Sequence, residues 1–217
     1  MPRSGHHLLV NLIQDVANRL GLPFSYCEYY NHFNERTRHA NVSKQTCAQD
    51  PCDMNCMLMK THDFELDATT VIPIWKTNIK ITAERPYIVL YRDDPLVQME
   101  AWYRHFMSNS KAASDTPYDP ETDDYSKFPE FYKKHRPYYD KFVQKWIKLP
   151  YKNMIISTYN ELVSNTVRVL LRALCVVYSP HISLFTHDLL QDVVNAHDVS
   201  FKYTLSPEKY ERLLKSI

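Results

Sequence analysis

PYIVLYRDDPLVQMEAWYRHFM, residues 86–107, decides the fold class. Its first part, Pro86 to Tyr91, is a run of β-branched and aromatic residues opened by Pro86 and closed by Arg92-Asp93-Asp94-Pro95, which reads as a buried strand. From Pro95 to Met107 the pattern reads as a helix. Two more apolar runs of strand length stand on either side, CMLMK at 56–60 and NMIIS at 153–157. Short buried strands alternating with helices predict an α/β fold, with a central parallel sheet flanked by helices.

The remaining segments fill in around those strands. HHLLVNLIQDVANRL, residues 6–20, sets Leu8, Leu9, Leu12, Ile13, Val16 and Leu20 at helical spacing, and Gly21 with Pro23 stops the run. Residues 24–55 are polar and read as irregular loop, and 71–83 suits either strand or loop. Residues 108–129 form a polar, locally acidic insertion expected to be a mobile loop. An aromatic, basic helix is expected over 130–148, a long one from Tyr159 to Tyr178, and shorter ones near 189–196 and 207–217. The basic stretch YKKHRPYYDKFVQKWIK within 130–148 reads as a solvated amphipathic helix with a tyrosine-rich packing face.

At 217 residues, with 44% hydrophobic and 24% charged, the chain reads as one domain with a sizeable core. A net charge of +1, from 26 Lys+Arg against 25 Asp+Glu, argues against broad nucleic-acid binding and leaves room for a local basic pocket. The 16 tyrosines suggest wet grooves and amphipathic surfaces rather than a larger apolar core. The longest apolar stretch, near Val169 to Tyr178, is broken by Arg172, so no membrane span is expected. MPRSGHHLLV lacks the apolar core of a leader, and a cytoplasmic location is the expectation; an upstream segment missing from the chain would take a leader with it. Nothing in the composition bears on oligomeric state. Three of the five cysteines, Cys47, Cys52 and Cys56, cluster as C-x4-C-x3-C. His39 and His62 are available as further ligands, but the spacing matches no common zinc knuckle, so free thiols or one disulfide are preferred.

The opening MPRSGHHLLVNLI raises a separate question, because the chain has only two glycines, Gly5 and Gly21. Gly5 stands between Arg3-Ser4 and His6-His7, at the start of the first helix. Such a glycine serves unusual torsions or the close approach of a ligand, and basic residues at a helix start suit an anion. A frayed terminus is the plain alternative. A Walker A loop requires Gly-Lys-Ser/Thr, whereas His6 follows Gly5, so an ATP or GTP site of kinase type is disfavoured. In parallel sheets ligands bind beyond the carboxyl ends of the strands. His62 follows CMLMK, Arg92 follows PYIVLY and Tyr159 follows NMIIS soon after, which favours the site over the frayed end.

PRSG followed by a helix resembles the 5′-phosphosulfate loop of the sulfotransferases, usually written P-[KR]-S-G-T-T. MKTHDF, 59–64, looks like that family's strand ending K-x-H; YIVLYRDDP, 87–95, like its strand ending R-[DN]-P; and NMIISTYNELVSN, 153–165, like its later strand and Y-E-x-L turn. The four elements run in the family's order from residue 2 to residue 165. The resemblance implies a sulfotransferase-like P-loop fold and transfer of a sulfuryl group from 3′-phosphoadenosine 5′-phosphosulfate (PAPS), with no metal. The acceptor it implies is a hydroxyl or amine, here a neutral small molecule or carbohydrate framed by residues 24–55 and 108–129. It further implies that Arg3 and the main chain from Ser4 through Gly5, His6 and His7 to Leu8 hold the 5′-phosphosulfate. Arg92 would hold the 3′-phosphate, Tyr159 would line the nucleotide pocket, Arg3 and Lys60 would meet the charge on the leaving oxygen, and His62 would be the general base.

Four departures qualify the likeness. The two loop threonines are replaced by His6 and His7, whose charge would make cofactor binding depend on pH. The serine expected after the R-D-P arginine is replaced by Ala101, the C-terminal R-K-G loop is not evident, and no strand precedes Pro2. A catalytically inactive relative that keeps the nucleotide pocket as a binding module is therefore the alternative.

Overall fold

The computed structural model describes residues 5–29, 57–61, 71–74, 77–80, 86–111, 118–149, 151–200 and 205–217. Helices dominate: α1 (His6–Leu20), α2 (Pro95–Lys111), α3 (Phe128–Lys148), α4 (Tyr159–Ser164), α5 (Thr166–Val177), α6 (His187–Asn195) and α7 (Pro207–Ser216). Among the described residues six short strands accompany them: β1 (Tyr26–Tyr29), β2 (Leu58–Thr61), β3 (Val71–Ile74), β4 (Thr77–Lys80), β5 (Tyr87–Tyr91) and β6 (Met154–Thr158). A 3₁₀ turn, Ser179–Leu184, joins α5 to α6.

The strands pair two by two. β5 runs parallel to β6, with Val89 opposite Ile156 and Tyr91 opposite Thr158, and β1 runs parallel to β2, with Glu28 opposite Lys60. β3 and β4 form an antiparallel hairpin, which resolves the strand-or-loop ambiguity of that segment. The expected single central sheet is thus found, among the described residues, as separate parallel pairs in a mostly helical chain. Within the expected loop 24–55, residues 26–29 form β1, while 30–55 lie outside the described residues; YCEY carries little apolar pattern of its own, and its strand form is tied to the distant β2.

The β5–β6 pair is covered on both faces, which is why PYIVLY is apolar throughout rather than alternating. Val89, Tyr87, Tyr91, Met154 and Ile156 pack with α2, α3 and α7, around Leu96, Met99, Tyr103, Phe128, Phe142, Trp146 and Leu213. Ile88, Leu90 and Ile155 point the other way, into a second cluster built from Leu9, Leu12, Ile13 and Val16 of α1, Leu170 and Leu174 of α5, and Leu190 and Val193 of α6. Leu58 of β2 and Phe24 rest on that second cluster. Locally this is a layered α/β arrangement with a thin parallel centre.

Three other expectations are corrected. The long helix from Tyr159 breaks at Asn165, whose φ of −132° and ψ of 46° leave the helical region, giving α4 and α5. Of the insertion 108–129, α2 takes the start, and 118–127 is a set of turns sealed onto the core. Tyr118 donates to Asp123 Oδ2 at 2.7 Å, and Tyr125, only 3% exposed, donates to Glu100 Oε1 at 2.8 Å. The tyrosines do not simply line wet surfaces: Tyr103, Tyr125, Tyr139, Tyr159 and Tyr178 are all buried. Their hydroxyls make this possible where they turn inward onto main-chain oxygens, as Tyr178 does onto Pro23 at 2.7 Å. Most of the basic face of α3 is solvated, with Lys133, Lys134, Lys141 and Lys148 exposed opposite the buried Phe131, Tyr139, Phe142 and Trp146, whereas Lys145 is itself buried.

Candidate functional site

α1 begins abruptly at Gly5, whose φ of 87° and ψ of 9° are left-handed. The first intrahelical bond is Leu9 N–H to Gly5 O, 3.2 Å, so the amides of the opening turn point along the axis past Gly5. A glycine is required there for two reasons. The torsion is costly for any side chain, and a Cβ would lie 2.6 Å from Tyr159 Cδ2, 2.9 Å from Cε2 and 3.1 Å from Leu162 Cδ2. The close neighbour that demands glycine is therefore another part of the chain. Tyr159 and Leu162 are the tyrosine and leucine of YNEL, the segment likened to the family's Y-E-x-L turn, and together they seat Gly5.

Tyr159 follows β6 directly and is 5% exposed. Arg92 follows β5 directly, is 4% exposed, and lays its guanidinium 4.1 Å from the centre of the Tyr159 ring. Because β5 and β6 are parallel and in register to Tyr91 and Thr158, the two residues leave adjacent strand ends together. Gly5, Arg92 and Tyr159 thus meet at one place, while His62, the other strand-end residue, lies outside the described residues.

The surrounding turns are pinned by side chains the sequence reading did not name. Tyr139 of α3 donates to the carbonyl of Arg92 at 2.7 Å and lies 3.1 Å from that of Asp93. Burial first, then the charge of Tyr91, pushes the Tyr139 hydroxyl upward from its usual pKa, so it remains a donor. Asp94 caps α2, accepting from Leu96 N at 2.8 Å and Val97 N at 3.2 Å, with Pro95 as the first helical residue. Asp93 accepts from Asn160 Nδ2 at 2.8 Å, which ties the turn after β5 to the turn after β6. Thr158 caps α4 by accepting from Glu161 N at 3.0 Å. Glu161 in turn takes the Ser157 hydroxyl at 2.8 Å and Arg172 Nη1 at 3.3 Å. Tyr139 was legible only as one member of the apolar stripe of α3; nothing local distinguishes the one hydroxyl that turns back to β5.

His6 and His7 stack edge to face, with ring centres 4.1 Å apart, and both ring nitrogens of His6 are shut off from solvent while His7 is exposed. Leu8 is half-buried beneath the apolar cluster of α1. Lys60 lies near the end of β2, half-buried. Arg3, Ser4 and His62 lie outside the described residues, as do Cys47, Cys52 and Cys56. Ala101 is 1% exposed within α2, so the position where the family pattern has a serine is enclosed.

The arrangement suits an anion in one respect and resists it in another. A buried guanidinium and the glycine that opens a helix both lie against the Tyr159 ring, and each favours negative charge nearby. The enclosed Ala101 offers no hydroxyl to a second phosphate. Among the described residues no group of three potential metal ligands occurs, and no helix is long and apolar enough to cross a membrane. The chain matches no protein-family model, no curated protein and no solved structure.

Proposed function

We propose that the chain is a PAPS-dependent sulfotransferase of the P-loop type, acting on a hydroxyl or amine of a small-molecule or carbohydrate acceptor. The observation that carries this reading is the meeting of Gly5, Tyr159 and Arg92, three residues from three separate motifs of the resemblance. Chance proximity of motif residues so far apart in sequence is the alternative it must beat: the parallel register of β5 and β6 brings Arg92 and Tyr159 to adjacent strand ends, and Gly5 reaches the same ring from the start of α1.

PAPS supplies, when bound, a sulfuryl group on a phosphate leaving group. The main chain at Ser4–Leu8 and the Arg3 guanidinium would hold the 5′ end, and Arg92 the 3′-phosphate. His62 would take the proton of the acceptor's hydroxyl or amine as that group bonds to sulfur and the bond from sulfur to the phosphate oxygen breaks. Arg3 and Lys60 stabilise the charge that develops on that oxygen. The chemistry is an in-line displacement in which positioning and charge do most of the work.

The deciding experiment compares thermal stabilisation by adenosine 3′,5′-bisphosphate, the desulfated nucleotide, with that by ATP and magnesium. A shift with the bisphosphate, lost in Arg92→Ala, supports the reading; a shift only with ATP and magnesium overturns it. The enclosed Ala101 favours a second reading, an inactive relative that binds the nucleotide as a module. That reading predicts stabilisation by the bisphosphate with no sulfuryl transfer to any acceptor.

A further inference from the structure

We propose that Tyr159 is a positioning residue, a spacer whose ring sets Gly5 and Arg92 in fixed relation, and does not itself contact the nucleotide. The inference rests on the sulfotransferase reading and changes the role that the family resemblance implied for this side chain. Three parts of Tyr159 are already engaged. Its ring carries the Arg92 guanidinium at 4.1 Å, one edge, Cδ2 and Cε2, abuts Gly5, and its hydroxyl donates to Ser200 O at 3.2 Å. At 5% exposure, wedged on three sides, the ring has no open face on which a base can stack.

The spacer has a mechanical consequence. Gly5 carries the main chain that opens α1, and Arg92 carries the cation at the end of β5. One rigid ring between them makes the distance from helix start to guanidinium a property of the fold rather than of the ligand. A nucleotide with anionic groups at both ends then meets donors already at their spacing, and less ordering is needed on binding. Leu162, fully buried and also against Gly5, closes the seat from below.

The test follows the Arg92 Nε–H proton by NMR in the ligand-free chain and bisphosphate affinity by calorimetry. Wild type and Tyr159→Phe should share the ring-current displacement of that proton, and Tyr159→Leu should lose it. Gly5→Ala should shift it too, because the new methyl displaces the ring, whereas Gly21→Ala, with open space around it, should not. Affinity should stay within about twofold of wild type in Tyr159→Phe and fall about tenfold in Tyr159→Leu. If Leu at this position does not fold, Gly5→Ala carries the first measurement alone. An Arg92 signal that ignores Gly5→Ala, or an equal loss of affinity in the Phe and Leu variants, overturns the spacer. A wild-type chain that shows the ring-current displacement and binds no bisphosphate instead removes the sulfotransferase reading and leaves the Gly5–Tyr159–Arg92 geometry standing.

Discussion

The ring of Tyr159 fills the space that a side chain at Gly5 would need, coming within 2.6 Å of where a Cβ would stand. Gly5 is therefore held to glycine by its φ of +87° and by its neighbour, while Gly21, at +62°, is held by torsion alone. Gly21 ends α1 in the ordinary way, with its N–H on Asn18 O and that of Leu22 on Ala17 O. Gly21→Ala should cost about 1 kcal/mol, the torsional penalty. Gly5→Ala should cost about 3 kcal/mol, because overpacking against an enclosed ring adds to it. Urea denaturation of the two variants measures the difference; equal losses would mean that the ring yields freely.

How far the sequence foretold this arrangement depends on the range of the interactions involved. The limits of α1 were readable because its periodicity and Gly21 are local signals, and β5 because a strand covered on both faces is apolar at every position. That Gly5, Arg92 and Tyr159 belong to one place followed from strand ends and motif order. What filled the gap between them did not, since a glycine required by a ring from another motif has the same local sequence as one required by a ligand. The same limit hid β1, defined by its pairing with β2, and the packing of 118–127, where the acidic residues that suggested a mobile loop instead cap turns and anchor Tyr118.

On the proposed function, Arg92 and His62 would separate binding from chemistry. Arg92→Ala removes the cation at the end of β5 and should abolish stabilisation by adenosine 3′,5′-bisphosphate. His62→Ala should leave nucleotide affinity nearly intact and lower sulfuryl transfer by two orders of magnitude or more, the usual worth of a general base being about 10²–10⁴-fold. Calorimetry and a transfer assay with PAPS read the two effects. Normal turnover in His62→Ala would assign the proton to another group.

Glu100, 1% exposed, is the polar joint between α2, α7 and the 118–127 turns. Its Oε1 pairs with Arg104, accepts from Tyr125 at 2.8 Å and lies 3.7 Å from Lys209 Nζ. Burial, and after it Arg104, already holds the Lys209 ammonium below its ordinary pKa. Removing the carboxylate would leave two cations facing each other with little solvent. Glu100→Ala should therefore destabilise by about 3 kcal/mol, and Tyr125→Phe, which removes one hydrogen bond, by about 1 kcal/mol. Urea denaturation of both variants tests the ranking, and a Glu100→Ala loss no larger than that of Tyr125→Phe would contradict it.

His135 gives a pH dependence with a definite sign. Its ring lies 4.6 Å from that of Trp102 and 4.3 Å from that of Phe131, and it is half-buried on α3. Burial among these rings, and then the charge of Lys134, lowers its pKa from the ordinary 6.5. The unfolded chain therefore binds this proton more readily than the folded one. Stability from a neutral His135 is complete above pH 6.5 and declines as pH falls below it, down to the lower folded value. His135→Phe keeps an aromatic ring between Trp102 and Phe131 and removes the titration. Melting temperature followed from pH 7.5 down to pH 5, from about one unit above the ordinary imidazole value to about one and a half below it, should fall less steeply in that variant than in wild type. Parallel slopes would mean that the imidazole protonates in the folded chain as easily as in water, against the enclosure that Trp102 and Phe131 provide.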